Sequence, residues 1–226
     1  MTRDGRILWA ALGVLVLAQI GYPLATHRAP LVVATVLLGF AISVSHAALT
    51  RGPRIAAGLV AATAGGGLLV EALGVHTGFP FGGYGYSAAL GLRLFGVPVV
   101  IPLAWTWMAW PAWLSAGVLT SRAALRIPVA GLGLAAWDLF LDPQMVAEGY
   151  WHWTRPSPGL SGIPLTNYLG WLVVAILMMA VLAWLDGPAD ARQLSRPWFL
   201  DRDPGRRSPL VLGRRGGLTR PAAPHR

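Results

Sequence analysis

Of the nine acidic residues in the 226-residue chain, four stand in or beside long apolar runs: Glu71, Asp138, Asp142 and Glu148. Asp138 and Asp142 are four apart in WDLFLDPQM (137–145), a spacing that puts both carboxyls on one face of a helix. Carboxyls gathered out of water suit general acid–base work. Low dielectric favours the protonated form, and a second carboxylate nearby does so again for one of the pair. One group can then donate a proton while the other takes one up. An ionisable side chain at the centre of a membrane helix costs about 2.5–3.5 kcal/mol on insertion scales, so such residues turn into the bundle and mark function by default. Glu71 and Asp138 fit this description best, and Asp142 follows. The competing reading is structural: carboxylates at a membrane interface, solvated or bonded to loop backbone. For Glu148 that reading is preferred. Pro143 marks Asp142 as a helix end, because a residue before proline avoids the α region.

Two loops accompany the acids. The first, HTGFPFGGYGY (76–86), is short of charge and combines glycines, which permit sharp bends and close backbone approach, with Phe79, Phe81, Tyr84 and Tyr86. The second, EGYWHWTRPSPGLSGIPLTN (148–167), carries Trp151, His152 and Trp153 and ends on Asn167. A membrane-interface belt accounts for some of these aromatics but not for the density of the first loop. Trp105, Trp107, Trp110 and Trp113 fall at spacings that form a stripe, with lipid-facing packing at least as good an assignment as a substrate wall. The five histidines show no metal-ligand spacing among themselves, and cysteine is absent, so no thiolate site exists. GGYGY (82–86) lacks the strand-then-helix setting of a phosphate loop. No cofactor and no metal are expected.

The elements that must position these groups are membrane helices. The chain is 55% hydrophobic and 12% charged, against about 25% charged residues in a soluble domain. Six apolar segments, near 7–25, 30–49, 55–75, 97–119, 123–141 and 164–185, approach the roughly 20 residues needed to cross a bilayer as a helix. The first lacks a small-residue cleavage site and reads as a retained span. Every basic residue is arginine. With the N-terminus inside, fifteen of the eighteen fall on the cytoplasmic side, a strong positive-inside bias. The fold class is therefore all-α: a polytopic bundle of about six transmembrane helices in the plasma membrane, both termini cytoplasmic and the four acids on the outer half. Residues 1–186 form the membrane domain, and 187–226 an Arg/Pro/Gly-rich tail without a fold of its own. The formal charge of +9 is explained by this topology and by anionic lipid near the tail; nucleic acid is not an expected partner.

The segments EALGVHTGFPFGGYGY (71–86), WDLFLDPQM (137–145), GYWHW (149–153) and GIPLTNYLGW (162–171), in this order, resemble the carotenoid biosynthesis family of integral membrane hydratases. The resemblance covers roughly residues 30–185. It implies addition of water to a terminal isoprenoid C=C to give a tertiary alcohol, without cofactor or metal. It implies a carotenoid or other long isoprenoid as substrate, and other carotenoid-synthesis enzymes as candidate partners. Set beside that chemistry, Asp138 is the preferred proton donor with Glu71 as partner or alternate. Asp142 orients the water or takes its proton. Tyr84, Tyr86 and Asn167 complete the polar pocket, and Phe79, Phe81, Trp151 and Trp153 line the end-group site.

Two other classes stay open on sequence. Asp138 and Asp142 make a DxxxD, as in a membrane prenyltransferase, but such enzymes need two acid-rich motifs to hold Mg²⁺ on a diphosphate. Intramembrane acids also mark ion paths in carriers, but the inverted repeat common to transporters is not visible.

Overall fold

The computed structural model describes residues 2–26, 28–154 and 158–187; the tail expected to lack a fold lies outside them, apart from Gly187. Six long helices make up the described chain: α1 (Arg3–Gly21), α2 (Arg28–Arg51), α3 (Pro53–Thr77), α4 (Val100–Leu119), α5 (Ala123–Ala147) and α6 (Leu165–Asp186). Each corresponds to one of the six expected segments. α1 is capped by Thr2, whose hydroxyl accepts from the Gly5 amide at 3.2 Å. Gly52, at φ +90°, turns the chain between α2 and α3, and Pro53 starts the new helix where its missing N–H costs nothing. α3 carries a π-helical turn at Ala61–Gly65, where the buried Thr63 hydroxyl lies 2.7 Å from Thr106 Oγ1 on α4. It ends on Gly78, in the left-handed region.

Five of these helices are long and apolar enough to cross a membrane, the pattern of a multi-pass membrane protein. Large apolar side chains such as Leu69, Phe140 and Leu169 point outward. α4 falls outside that set because its four tryptophans and two prolines lower its hydropathy. It packs against α2, α3 and α5, and Trp105, Trp110 and Trp113 are all buried. The lipid-facing assignment for these three is therefore corrected: this stripe faces the interior.

One boundary also changes. α5 does not stop at Asp142 but runs through Pro143 to Ala147. A residue before proline is disfavoured in the α region, not excluded from it, and proline is tolerated inside apolar helices where neighbours support the freed backbone. On the N-terminal side of the proline, Asn167 on α6 bonds the side chains of Asp138 and Asp142 and ties this part of α5 to its neighbour.

The two loops meet in a short antiparallel ladder. β1 (Tyr84–Tyr86) pairs with β2 (Trp151–Trp153), with Tyr84 opposite Trp153, Gly85 opposite His152 and Tyr86 opposite Trp151. At the other end of the helices, Asp186 accepts from Trp113 Nε1 at 3.0 Å and lies 3.2 Å from Arg51 and 3.7 Å from Arg126. The Arg126 guanidinium stacks 3.6 Å above the Trp113 ring.

Candidate functional site

Alternation along the ladder builds the roof of the site. With period two, Tyr84, Tyr86, Trp151 and Trp153 share one face, while Gly85 and His152 take the other. The first four all border a cavity of about 50 Å³ beneath the ladder. The floor comes from helices: Glu71 near the end of α3, Trp105 on α4, Asp138 and Asp142 near the end of α5, and Asn167 and Trp171 at the start of α6.

The carboxyls are enclosed: relative exposure is 3% for Glu71, 1% for Asp138 and 2% for both Asp142 and Asn167. Buried polar groups on this scale must be hydrogen-bonded, and these are. Tyr84 Oη and Tyr86 Oη donate to Glu71 Oε2 at 2.6 and 2.8 Å, and Trp105 Nε1 donates to Oε1 at 3.1 Å. Asn167 Nδ2 donates to Asp138 Oδ2 at 2.7 Å and to Asp142 Oδ2 at 2.6 Å, so one amide clamps both aspartates. Trp151 Nε1 donates to Asp142 Oδ1 at 2.6 Å. Among the described residues Glu71 thus has three side-chain donors, Asp142 two and Asp138 one. Burial pushes the phenols of Tyr84 and Tyr86 well above their ordinary value, and the acidic Glu71 beside them adds to the effect; both stay protonated donors.

Small residues on α3 make this reach possible. Gly67, Glu71 and Gly74 fall on one helix face, and a Cβ would stand 2.9 Å from Trp105 Cδ1 at Gly67 and 2.6 Å from Tyr84 Oη at Gly74. The aromatic donors lie against bare backbone on either side of the acid. Phe81 is held likewise: a Cβ on Gly170 would come within 2.9 Å of its ring. Trp105 and Trp171 stack at 4.0 Å between centroids and 14° between planes, giving the cavity a flat aromatic wall.

Nine of the ten residues singled out from sequence border this cavity: Glu71, Phe81, Tyr84, Tyr86, Asp138, Asp142, Trp151, Trp153 and Asn167. Phe79 does not; it is 68% exposed. Glu148 is also outside, paired with Arg28. His76 bonds the Ala72 carbonyl of its own helix, and His152 is exposed on the far face of the ladder. Among the described residues, no group of three or more His, Asp or Glu side chains is arranged to hold a metal ion. Sequence reading missed Trp105 as a partner of Glu71, and the apolar wall of Ile101, Ala104, Met108, Leu141 and Trp171. The glycines three and four residues from Glu71 were the available signal for the first. Trp153 Nε1 is buried without an acceptor among the described residues, which leaves one indole N–H free at the cavity wall.

No solved structure matches the chain. Bisanhydrobacterioruberin hydratase of Haloarcula japonica is 36% identical over 117 residues, which cover 48% of this chain and 39% of that protein. A family model described as carotenoid biosynthesis protein matches residues 31–200. With that match spanning most of the sequence and both loop motifs, the chain belongs to the carotenoid biosynthesis protein family.

Proposed function

We propose that the protein is a membrane-embedded carotenoid hydratase, adding water across a terminal isoprenoid C=C to give a tertiary alcohol. The observation that carries this reading is one cavity walled by aromatic faces in which three buried carboxyls differ in their supply of donors. The likeness to a named carotenoid hydratase supports it.

Asp138, with a single side-chain donor, is the carboxyl least supported as an anion and carries the proton. Two carboxylates on one amide also repel each other, and one proton shared between them removes that repulsion. Asp138 delivers the proton to the less substituted alkene carbon. A C–H bond forms, the π pair is consumed, and a tertiary carbocation results. The faces of Trp105, Trp151, Trp171 and Phe81 stabilise that cation by their ring quadrupoles without offering a nucleophile. Water forms the C–O bond and releases its second proton to Asp142, and transfer from Asp142 to Asp138 restores the pair. The cavity, at about 50 Å³, exceeds the roughly 10–15 Å³ that one water needs, and Trp153, whose indole N–H has no acceptor among the described residues, is the donor assigned to the water oxygen in this reading. Glu71, held by three donors, adds electrostatic stabilisation and is the alternate proton carrier. The bundle has six spans with both termini cytoplasmic, so the site lies in the outer half of the membrane; the arginine distribution supports this orientation.

The test is mass spectrometry of pigments from a bacterial host making lycopene or a C50 carotenoid, with and without this protein. A product heavier by one water, lost in Asp138→Asn, is expected. A product heavier by a prenyl unit, or dependence on magnesium, would instead favour transfer.

A further inference from the structure

A second cavity of about 120 Å³, larger than the first, lies among α1, α2, α4 and α5. The two cavities are neighbours: Ile101, Ala104, Met108, Leu141 and Trp151 border both. Ile101, Ala104 and Met108 sit at helical spacing on one face of α4, and Leu141 faces them from α5, so the partition is the α4–α5 seam. α5 serves both sides, with Asp138 and Asp142 toward the first cavity and Trp137 and Met145 toward the second. Apart from Thr35 and Tyr22, the interior of the second is apolar, built of Val32, Val36, Val100 and Met145. Its rim is open: Trp137 is 49% exposed, and Gln19 and Gln144 are exposed.

We infer that this second cavity binds the isoprenoid chain behind the reacting end group, which reaches the carboxyls across the α4–α5 seam. The inference rests on the reading of the first cavity as the site for an isoprenoid end. A long hydrocarbon offers no hydrogen-bonding group, so only a continuous apolar surface joined to the polar pocket can hold it in register. Trp151 belongs to both spaces: its indole N–H holds Asp142 while its ring borders the chain. One side chain thereby couples chain position to the orientation of Asp142, which Asn167 also holds. The opening at Trp137 faces the lipid side of the bundle, the phase in which such a substrate dissolves.

The test uses the full chain in lipid nanodiscs with an acyclic polyene carrying a photoreactive diazirine one isoprene unit behind its end. Adducts are expected on peptides containing Val36, Trp137 or Met145, and unlabelled polyene should suppress them. Val36→Trp, which fills the groove without touching the first cavity, should remove them. It should also lower hydration of the long substrate about tenfold or more relative to a short isoprenoid with the same end group. Adducts confined to outward residues such as Phe140 and Leu169, equal labelling by a diazirine phospholipid, or an unchanged long-to-short ratio in a folded Val36→Trp protein would each overturn the inference. The wild-type labelling pattern decides alone if that variant does not fold. Groove labelling without any hydrated product would sink the hydratase reading and leave the subsite standing. Hydration lost in Asp138→Asn with the groove unlabelled would do the reverse.

Discussion

Tyr84 reaches Glu71 only because Gly74 has no side chain: a Cβ there would stand 2.6 Å from Tyr84 Oη, the hydroxyl that donates to Glu71 Oε2 at 2.6 Å. Gly74→Ala should therefore push the phenol off the acid. The ring is buried against Phe81 and Trp153, so it cannot swing away freely. Overpacking of this kind costs about 1–3 kcal/mol. Thermal unfolding in detergent should show that loss together with reduced hydration; an unchanged protein on both counts would mean the contact is not tight.

Asp138→Asn keeps an acceptor oxygen for Asn167 but cannot deliver a proton. Conversion should fall by about 10²–10⁴-fold, the usual weight of a general acid, with membrane insertion and unfolding temperature near those of the parent. Asn167→Leu differs: it strips the shared donor from both aspartates and should lower stability as well as activity. Retained activity in Asp138→Asn would shift the donor role to Glu71.

Tyr84→Phe and Tyr86→Phe each remove one of the two donors on Glu71 Oε2. Either change leaves the other phenol in place, and losing one partner of a buried hydrogen bond costs about 1–3 kcal/mol. The double variant, with only Trp105 left on this carboxyl, should lose more than the sum. A double-mutant cycle on unfolding free energy checks this, and strict additivity would show that the two phenols act independently.

The same phenols give a pH signature. Their folded values lie above the ordinary one, from burial first and Glu71 next. The unfolded phenols ionise near pH 10, while the folded ones keep their protons. Their contribution to stability is complete below about pH 10 and is lost as pH rises above it. Spectrophotometric titration should show these two tyrosines silent until alkaline unfolding, so the phenolate signal in folded Tyr84→Phe should match the parent. A signal lost from the folded variant near pH 10 would contradict the burial.

Asp186→Ala tests the opposite end of the bundle. It leaves the buried Arg126 without its counterion, beside Trp113. Breaking a buried pair from one side costs about 3–5 kcal/mol. Stability should drop while turnover per folded molecule stays level, because none of these groups borders the cavity. Turnover falling in proportion with no loss of stability would point to coupling between the ends.

Sequence alone determined the six helices, since runs of apolar residues near twenty long have few other solutions. It also pointed to Glu71 and Asp138 as turned inward, because an unpaired acid facing lipid is costly, and left Asp142 open between the interior and the interface; the structure buries all three. The loop motifs marked where the aromatic lining would come from. Only the tertiary structure decided which aromatics meet the acids. Phe79 and Phe81 look equivalent in FPF, yet one is outside and the other is wedged against Gly170; that difference belongs to the turn, not the composition. The β1–β2 ladder joins residues far apart in the chain, and no local pattern encodes its register. Helix α5 runs through Pro143, where the local sequence signal alone would end it, in a bundle where Asn167 of another helix holds Asp138 and Asp142. Local propensity sets what a segment prefers, and contacts between distant segments set which preference is overruled.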